Sequence, residues 1–153
     1  MNYHDIKKCD LNNGDGVRVS LFVSGCDHHC PGCFNAQTWN PKSGIPFDAD
    51  AKAELFAALD DPYVSGVTWL GGDPLAPYNY NEILELSKEV REKFPDKTIW
   101  CYTGYSFDEI QFLRPQILDH IDVLVDGLFI EDLKDNSLRY RGSSNQKIYY
   151  LTK

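Results

Sequence analysis

The sequence has no apolar run approaching the roughly 18 residues that a membrane-spanning helix needs. Its start, Met1-Asn2-Tyr3-His4-Asp5, lacks the basic-then-apolar pattern of a secretory leader. A cytoplasmic, reducing setting is the resulting expectation. Cationic side chains are scarce, 15 Lys and Arg against 23 Asp and Glu, for a net charge of −8. That argues against the broad basic surface by which a protein holds nucleic acid or an anionic membrane. Only a local patch such as Arg139 and Arg141 stands out. Internal repeats, low-complexity tracts and linkers are also missing. At 153 residues, 42% of them hydrophobic, the chain is neither disordered nor collagen-like. It fits a single domain over 1–153 and is too short for a complete eight-stranded α/β barrel, which takes about 250 residues.

Five cysteines cannot all pair within one chain, and three of them fall within eight residues, which reads as metal chemistry rather than stapling. Around them the apolar pattern alternates between strands and helices. The runs 17–23, 67–70, 98–102 and 121–125 are β-branched or aromatic and predict strands, with a short last strand over 147–151. Residues 50–60 predict a helix through Ala51, Leu55 and Leu59, with Asp48 or Asp50 as its cap. Ile83, Leu86, Val90 and Phe94 mark a stronger helix over 80–94, with Glu89 and Lys93 paired outside it and Pro95 as its stop. Ser106-Phe107-Asp108-Glu109 is a capping box that starts a short helix. Strand–loop–helix repeats of this kind predict an α/β domain with a mainly parallel sheet. Right-handed crossovers then bring the strand ends to one edge. The cysteine loop (25–39), Gly71-Gly72-Asp73-Pro74, Thr103-Gly104-Tyr105 and Asp126-Gly127 all sit at such ends, where ligands of α/β sheets bind.

The cysteine spacing is Cys26-x3-Cys30-x2-Cys33. Three thiolates on one tight loop suit zinc or an iron–sulfur cluster. A [4Fe-4S] cluster usually takes four cysteines, so three leave one iron open to a small molecule. The same residues also fit a structural Cys3His zinc site with His28 or His29 as the fourth ligand. Each histidine lies between cysteines on one short loop, where neighbours rarely all turn inward, and neither is assigned to the metal.

Cys-x3-Cys-x2-Cys followed by an aromatic residue, Phe34, resembles the radical S-adenosylmethionine enzymes. Gly71-Gly72-Asp73-Pro74, at the end of the next strand, resembles the second motif of that superfamily, usually Gly-Gly-Glu-Pro. Within it the chain resembles the glycyl-radical activases that serve the anaerobic ribonucleoside-triphosphate reductase. The likeness runs through Asn13-Gly14-Asp15-Gly16-Val17-Arg18, Leu21 to Cys26, Cys33-Phe34-Asn35, Thr38-Trp39, Thr103-Gly104-Tyr105, Asp122 to Gly127 and Arg141 to Lys147. It implies a partial, open β/α barrel with Cys26, Cys30 and Cys33 holding a [4Fe-4S] cluster. It implies S-adenosyl-L-methionine as cofactor, with Gly32, Cys33, Phe34, Gly71, Gly72, Asp73 and Asp126 as the cofactor-binding residues. The reductase would be the partner that receives a glycyl radical. A donor such as flavodoxin or ferredoxin would supply the electron, and homodimerisation is a trait of the family. A short radical enzyme acting on a small molecule, and a zinc-binding interaction module without catalysis, are the competing readings. Asp126 also reads as a plain turn carboxylate before Gly127, and Phe34 as a core residue. Cys101 reads as a buried small hydrophobe, and Cys9, in an N-terminal loop, carries no assigned role.

Overall fold

A computed structural model of the chain describes residues 1–33 and 36–151. Seven strands form one sheet: β1 (Asn2–Asp10), β2 (Arg18–Val23), β3 (Ile45–Pro46), β4 (Gly66–Gly71), β5 (Thr98–Tyr102), β6 (Val123–Asp126) and β7 (Lys147–Tyr150). Their spatial order is β3-β1-β2-β4-β5-β6-β7. The four central strands β2, β4, β5 and β6 run parallel, and antiparallel strands flank them on both sides. Three helices, α1 (Ala49–Leu59), α2 (Tyr80–Lys93) and α3 (Phe107–Leu113), make the crossovers between the parallel strands. Among the described residues no helix is long and apolar enough to cross a membrane.

The period-2 alternation of strands separates two faces. Val19, Leu21, Val23, Val67, Trp69, Ile99, Cys101 and Leu124 pack in one core with the buried helix residues Ala51, Leu55, Leu59, Ile83, Leu86, Val90 and Ile110. All three helices therefore lie on one side of the sheet. The Trp69 indole N–H donates to Ser87 Oγ on α2 at 2.9 Å, which satisfies the one polar atom this ring brings into the core. The other face carries Arg18, Ser20, Phe22, Thr68, Leu70, Trp100 and Tyr102. It is left uncovered by helices and forms the floor of a cavity.

The helix ends follow their sequence signals. Asp48 caps α1 by accepting from the Ala51 N–H. Ser106 and Glu109 form the full capping box of α3, a motif whose cap contributes about 1 kcal/mol. Glu89 pairs across to Lys52 at 2.7 Å, while the Lys93 ammonium sits over the Phe56 ring.

Strand β1 is a correction: the sequence reading had only a loop there, with Cys9 on it. Its buried residues Tyr3, Ile6 and Asp10 do not alternate because register shifts interrupt the ladder between Tyr3 and Asp5 and between Lys7 and Asp10. Each irregularity resets the period, so the strand signal vanishes. Cys9 is an exposed residue of this strand. Strand β6 starts two residues later than predicted, because Asp122 is the lead-in: its carboxylate accepts from the Ile99 N–H at 2.7 Å and from Arg91 at 3.0 Å.

Two buried charges fix the lower end of the cavity floor. The Arg18 guanidinium makes five hydrogen bonds of 2.8–2.9 Å, to Thr68 Oγ1, the Asp15 and Val67 carbonyls, and both oxygens of Thr98. Burial lowers its pKa to about 10, so it stays charged at neutral pH. Asp10 accepts from the Asn12 N–H at 2.9 Å, Asn13 Nδ2 at 2.7 Å and Ser20 Oγ at 2.6 Å. Burial alone would push this carboxyl up, but those donors outweigh it and hold it below the usual range. A depressed native pKa contributes stability that is complete above the unfolded value, about 3.9, and is lost as pH falls through the native value. Thermal melts should show wild type above Asp10→Asn by a constant margin near neutrality. The margin should close in acid, and a margin independent of pH would contradict this account.

Candidate functional site

The carboxyl ends of β2, β4, β5 and β6 meet at one edge, above the uncovered face of the sheet. There Cys26, Cys30, Cys33, Gly71, Gly72, Thr103, Gly104 and Gly127 line a cavity of about 720 Å³, with Phe22, Leu70 and Tyr102 on its floor. The four motif regions that the sequence places at strand ends thus converge in space.

Asp73 joins them. It is 1% exposed, and its carboxylate is fully committed inside the protein. Oδ1 accepts from the Leu75 N–H and from Thr103 Oγ1, both at 2.9 Å. Oδ2 takes the Gly104 N–H at 3.0 Å and His28 Nε2 at 2.7 Å. The Asp73 N–H donates to the Gly25 carbonyl at 2.7 Å. One residue therefore binds the cysteine loop, the β4 end and the β5 end together. Asn79 adds a second stitch, donating from Nδ2 to the Ser24 carbonyl at 2.9 Å and the Asp73 carbonyl at 3.1 Å. No periodicity or spacing marks Asn79, which lies in the turn before α2.

The glycines have steric causes. A Cβ on Gly72 would strike the Gly25 backbone, and one on Gly104 would strike the His28 ring. Gly71 has φ +108 and packs on the Val23 backbone. Close approach of backbone to backbone, available only without a Cβ, is what sets this double glycine.

The two histidines left open by the sequence have separate tasks. His28 is half-buried against Asp73, and its ring meets Tyr105 edge-on at 4.8 Å. The Asp73 hydrogen bond raises its pKa, so the pair favours the imidazolium. His29 stacks on Trp39 at 4.6 Å with an interplanar angle of 9°. With one ring on a carboxylate and the other on an indole, neither is placed as the fourth ligand of a Cys3His zinc site.

None of the five cysteines is in a disulfide. Burial pushes the Cys26 thiol up to about 11 and the Cys30 thiol in the same direction. These are not the depressed thiols of a cysteine nucleophile. Among the described residues no three Cys, His, Asp or Glu side chains gather tightly enough to bond one metal ion. A polynuclear cluster asks for something different: each cysteine bonds its own iron. Three thiols lining one cavity fit that donor set.

The remaining sequence candidates divide. Gly32 is exposed with φ +73 and lies against Glu131, outside the cavity lining. Phe34 lies outside the described residues. The Asp126 carboxylate accepts from the Phe107 N–H at 2.8 Å and the Lys147 N–H at 3.1 Å. It starts α3 and β7, the structural role that its Asp-Gly context also suggested. Arg139 and Arg141 both line the cavity from the far side. The stretch Ser143 to Gln146 ties down the segment before it. Gln146 Oε1 accepts from the Gly142 and Ser143 N–H groups at 3.0 and 3.1 Å, and its Nε2 donates to the Gly127 carbonyl at 3.0 Å.

A cavity ringed by three cysteines at the ends of parallel strands is the architecture of an iron–sulfur protein, and residues 12–149 match the family model of the 4Fe-4S single cluster domain. Among curated proteins, the chain is 47% identical over 153 residues to the anaerobic ribonucleoside-triphosphate reductase-activating protein of Escherichia coli strain K12, covering 99% of both chains. The protein of the same name from Enterobacteria phage T4 is 44% identical over 152 residues, covering 99% of this chain and 96% of its own. That of Pasteurella multocida is 45% identical, with 99% coverage of each. The chain belongs to this family of activating proteins.

Asp73→Ala would strand four donors, the His28 ring among them. It should cost about 3–5 kcal/mol by anaerobic chemical denaturation. Asp73→Glu forces an extra methylene into a closed site, and should cost about 1–3 kcal/mol. A Glu variant as stable as wild type would show that the pocket is not sized for aspartate.

Proposed function

We propose that this chain is a radical S-adenosylmethionine activase for the anaerobic ribonucleoside-triphosphate reductase, with Cys26, Cys30 and Cys33 holding a [4Fe-4S] cluster. Bound there, the cluster would supply the electron for reductive cleavage of S-adenosylmethionine, the chemistry that would take a hydrogen atom from a glycine of the reductase. The observation that carries the reading is the convergence of all three cysteines and Gly71-Gly72 on one cavity. The full-length likeness to activating proteins supports it independently.

The protein's own residues have positional roles. Gly72 lets the β4 loop pack on the cysteine loop, so the cofactor meets backbone groups rather than side chains there. Asp73 acts through others: it fixes His28, Thr103 and Gly104 and touches no ligand. The apolar floor of Phe22 and Leu70 excludes water from reactive species, as a site for radical chemistry requires. The same reading takes residues 1–153 as one domain. The helix-free face makes the wall of a partial barrel, and a donor such as flavodoxin or ferredoxin supplies the electron. Homodimerisation and a cytoplasmic setting go with it.

Anaerobic reconstitution should give a brown protein with about four iron per chain. Reduced protein, S-adenosylmethionine and the reductase should together give a glycyl radical by electron paramagnetic resonance. Cys30→Ala should abolish cofactor cleavage while the far-ultraviolet circular dichroism stays that of wild type. A colourless, zinc-loaded protein, or undiminished cleavage in that variant, would overturn the assignment. Cofactor cleavage with no radical on the reductase would favour a small-molecule substrate.

A further inference from the structure

We infer that Ser143, Asn145 and Gln146 are positioning residues for the cluster. They hold the backbone after β6 so that the Phe129 N–H stays bonded to the Cys30 sulfur, and that bond raises the reduction potential of the cluster. The inference rests on the function proposed above and adds to it what sets how readily the electron enters.

The sulfurs of Cys26 and Cys30 both accept backbone hydrogen bonds, but from different sources. Cys26 accepts from the N–H groups of His28 and His29, its near neighbours in the loop. His29 has φ +48, the left-handed turn that lets successive N–H groups point at one anionic atom. Its stacking on Trp39 holds the ring of that turn in place. Cys30 accepts from its own N–H and from Phe129, which comes from beyond β6. The first set of donors arrives with the fold of the cysteine loop. The Phe129 donor has to be delivered to it by another part of the chain.

Delivery is the work of the polar stretch before β7. Gln146 Nε2 donates to the Gly127 carbonyl at 3.0 Å, and Asn145 Nδ2 to the Leu128 carbonyl at 2.7 Å. Ser143 Oγ accepts from the Ile130 N–H at 3.2 Å. The Gly127 N–H is fixed as well, on the Tyr105 carbonyl at 3.0 Å. The backbone is thus pinned at 127, 128 and 130, and the residue left between the pins is the one bonded to sulfur. Phe129 is 8% exposed, and it lines the same cavity as Cys30. Ser143 is fully buried. Gln146 is itself oriented by the Gly142 and Ser143 N–H groups on its Oε1. The Glu131 carboxylate packs against Gly32, a second contact between this segment and the cysteine loop.

A cluster that gains one electron and no proton becomes more negative, and its thiolate ligands share the added charge. An N–H dipole aimed at a ligand sulfur therefore favours the reduced state over the oxidised one and raises the potential. The effect is larger where water is kept away, because the local dielectric is low. A buried N–H left without an acceptor would be costly, so the donor has reason to remain on the sulfur. The Cys30 bond is also the one that substitutions outside the cysteine loop can weaken.

The test uses the full chain, reconstituted anaerobically. It reads the midpoint potential in a dithionite titration followed by electron paramagnetic resonance, with iron content and thermal melts beside it. Phe129→Pro removes the N–H and should move the midpoint to a more negative potential. Phe129→Leu keeps the N–H and an apolar side chain, and should stay at the wild-type midpoint. The double variant Ser143→Ala, Asn145→Ala removes two pins and no sulfur donor, and should shift the midpoint the same way by less. Phe129→Pro at the wild-type midpoint overturns the inference, and so does Phe129→Leu shifting as far as Phe129→Pro. If Phe129→Pro assembles no cluster, the double variant decides: a lowered melting temperature with an unmoved midpoint makes the stretch structural only. A wild-type protein that takes up no iron–sulfur cluster sinks the proposed function itself, whereas a cluster that assembles without these shifts sinks this inference alone.

Discussion

The top of this molecule depends on one buried carboxylate. Asp73 collects donors from three chain segments far apart in sequence: His28 in the cysteine loop, Leu75 beyond the β4 turn, and Thr103 with Gly104 beyond β5. Inside a protein an unpaired carboxylate is far too costly to keep, so each donor is obligatory rather than decorative. The consequence is geometric: the cysteine loop cannot shift without breaking contact with two strand ends. The three cysteines are thereby carried on a part of the sheet edge that is tied to two strand ends, although they sit in a loop.

The second organising fact is the asymmetry of the sheet. Successive residues on β2, β4 and β5 alternate between a helix-packed apolar core and a face that holds Arg18, Ser20 and Thr68 at one end and Phe22, Leu70 and Tyr102 at the other. The polar end is satisfied internally by the five bonds of Arg18 and the three of Asp10, so it needs no water and no ligand. The apolar end lies under the cysteines. A single surface thus grades from self-satisfied charge to an apolar floor beneath the cysteine loop.

Much of this was legible in the sequence, and for physical reasons. The three helices and four parallel strands obey simple periods, and the caps Asp48 and Ser106 act where their spacing says. The Cys-x3-Cys-x2-Cys and Gly-Gly-Asp-Pro motifs are local, so their convergence followed from strand ends alone. What stayed hidden is non-local. The irregular β1 concealed its strand by breaking the alternation. Asn79 looks like any turn residue until the Ser24 and Asp73 carbonyls are seen beside it. Asp73 and Asp126 stand among the cofactor-binding candidates, but the burial and donors of a carboxylate cannot be read from its neighbours in the chain. Phe34 lies outside the described residues.

The contact between Gly25 and Gly72 has a mechanical consequence. Two backbones pressed together without side chains between them form a joint with almost no give, since neither a rotamer nor a void is present to absorb a displacement. The upper rim therefore behaves as a hard anvil: a push on the cysteine loop passes straight into the end of β4 and the sheet behind it, with nothing at the joint to absorb it.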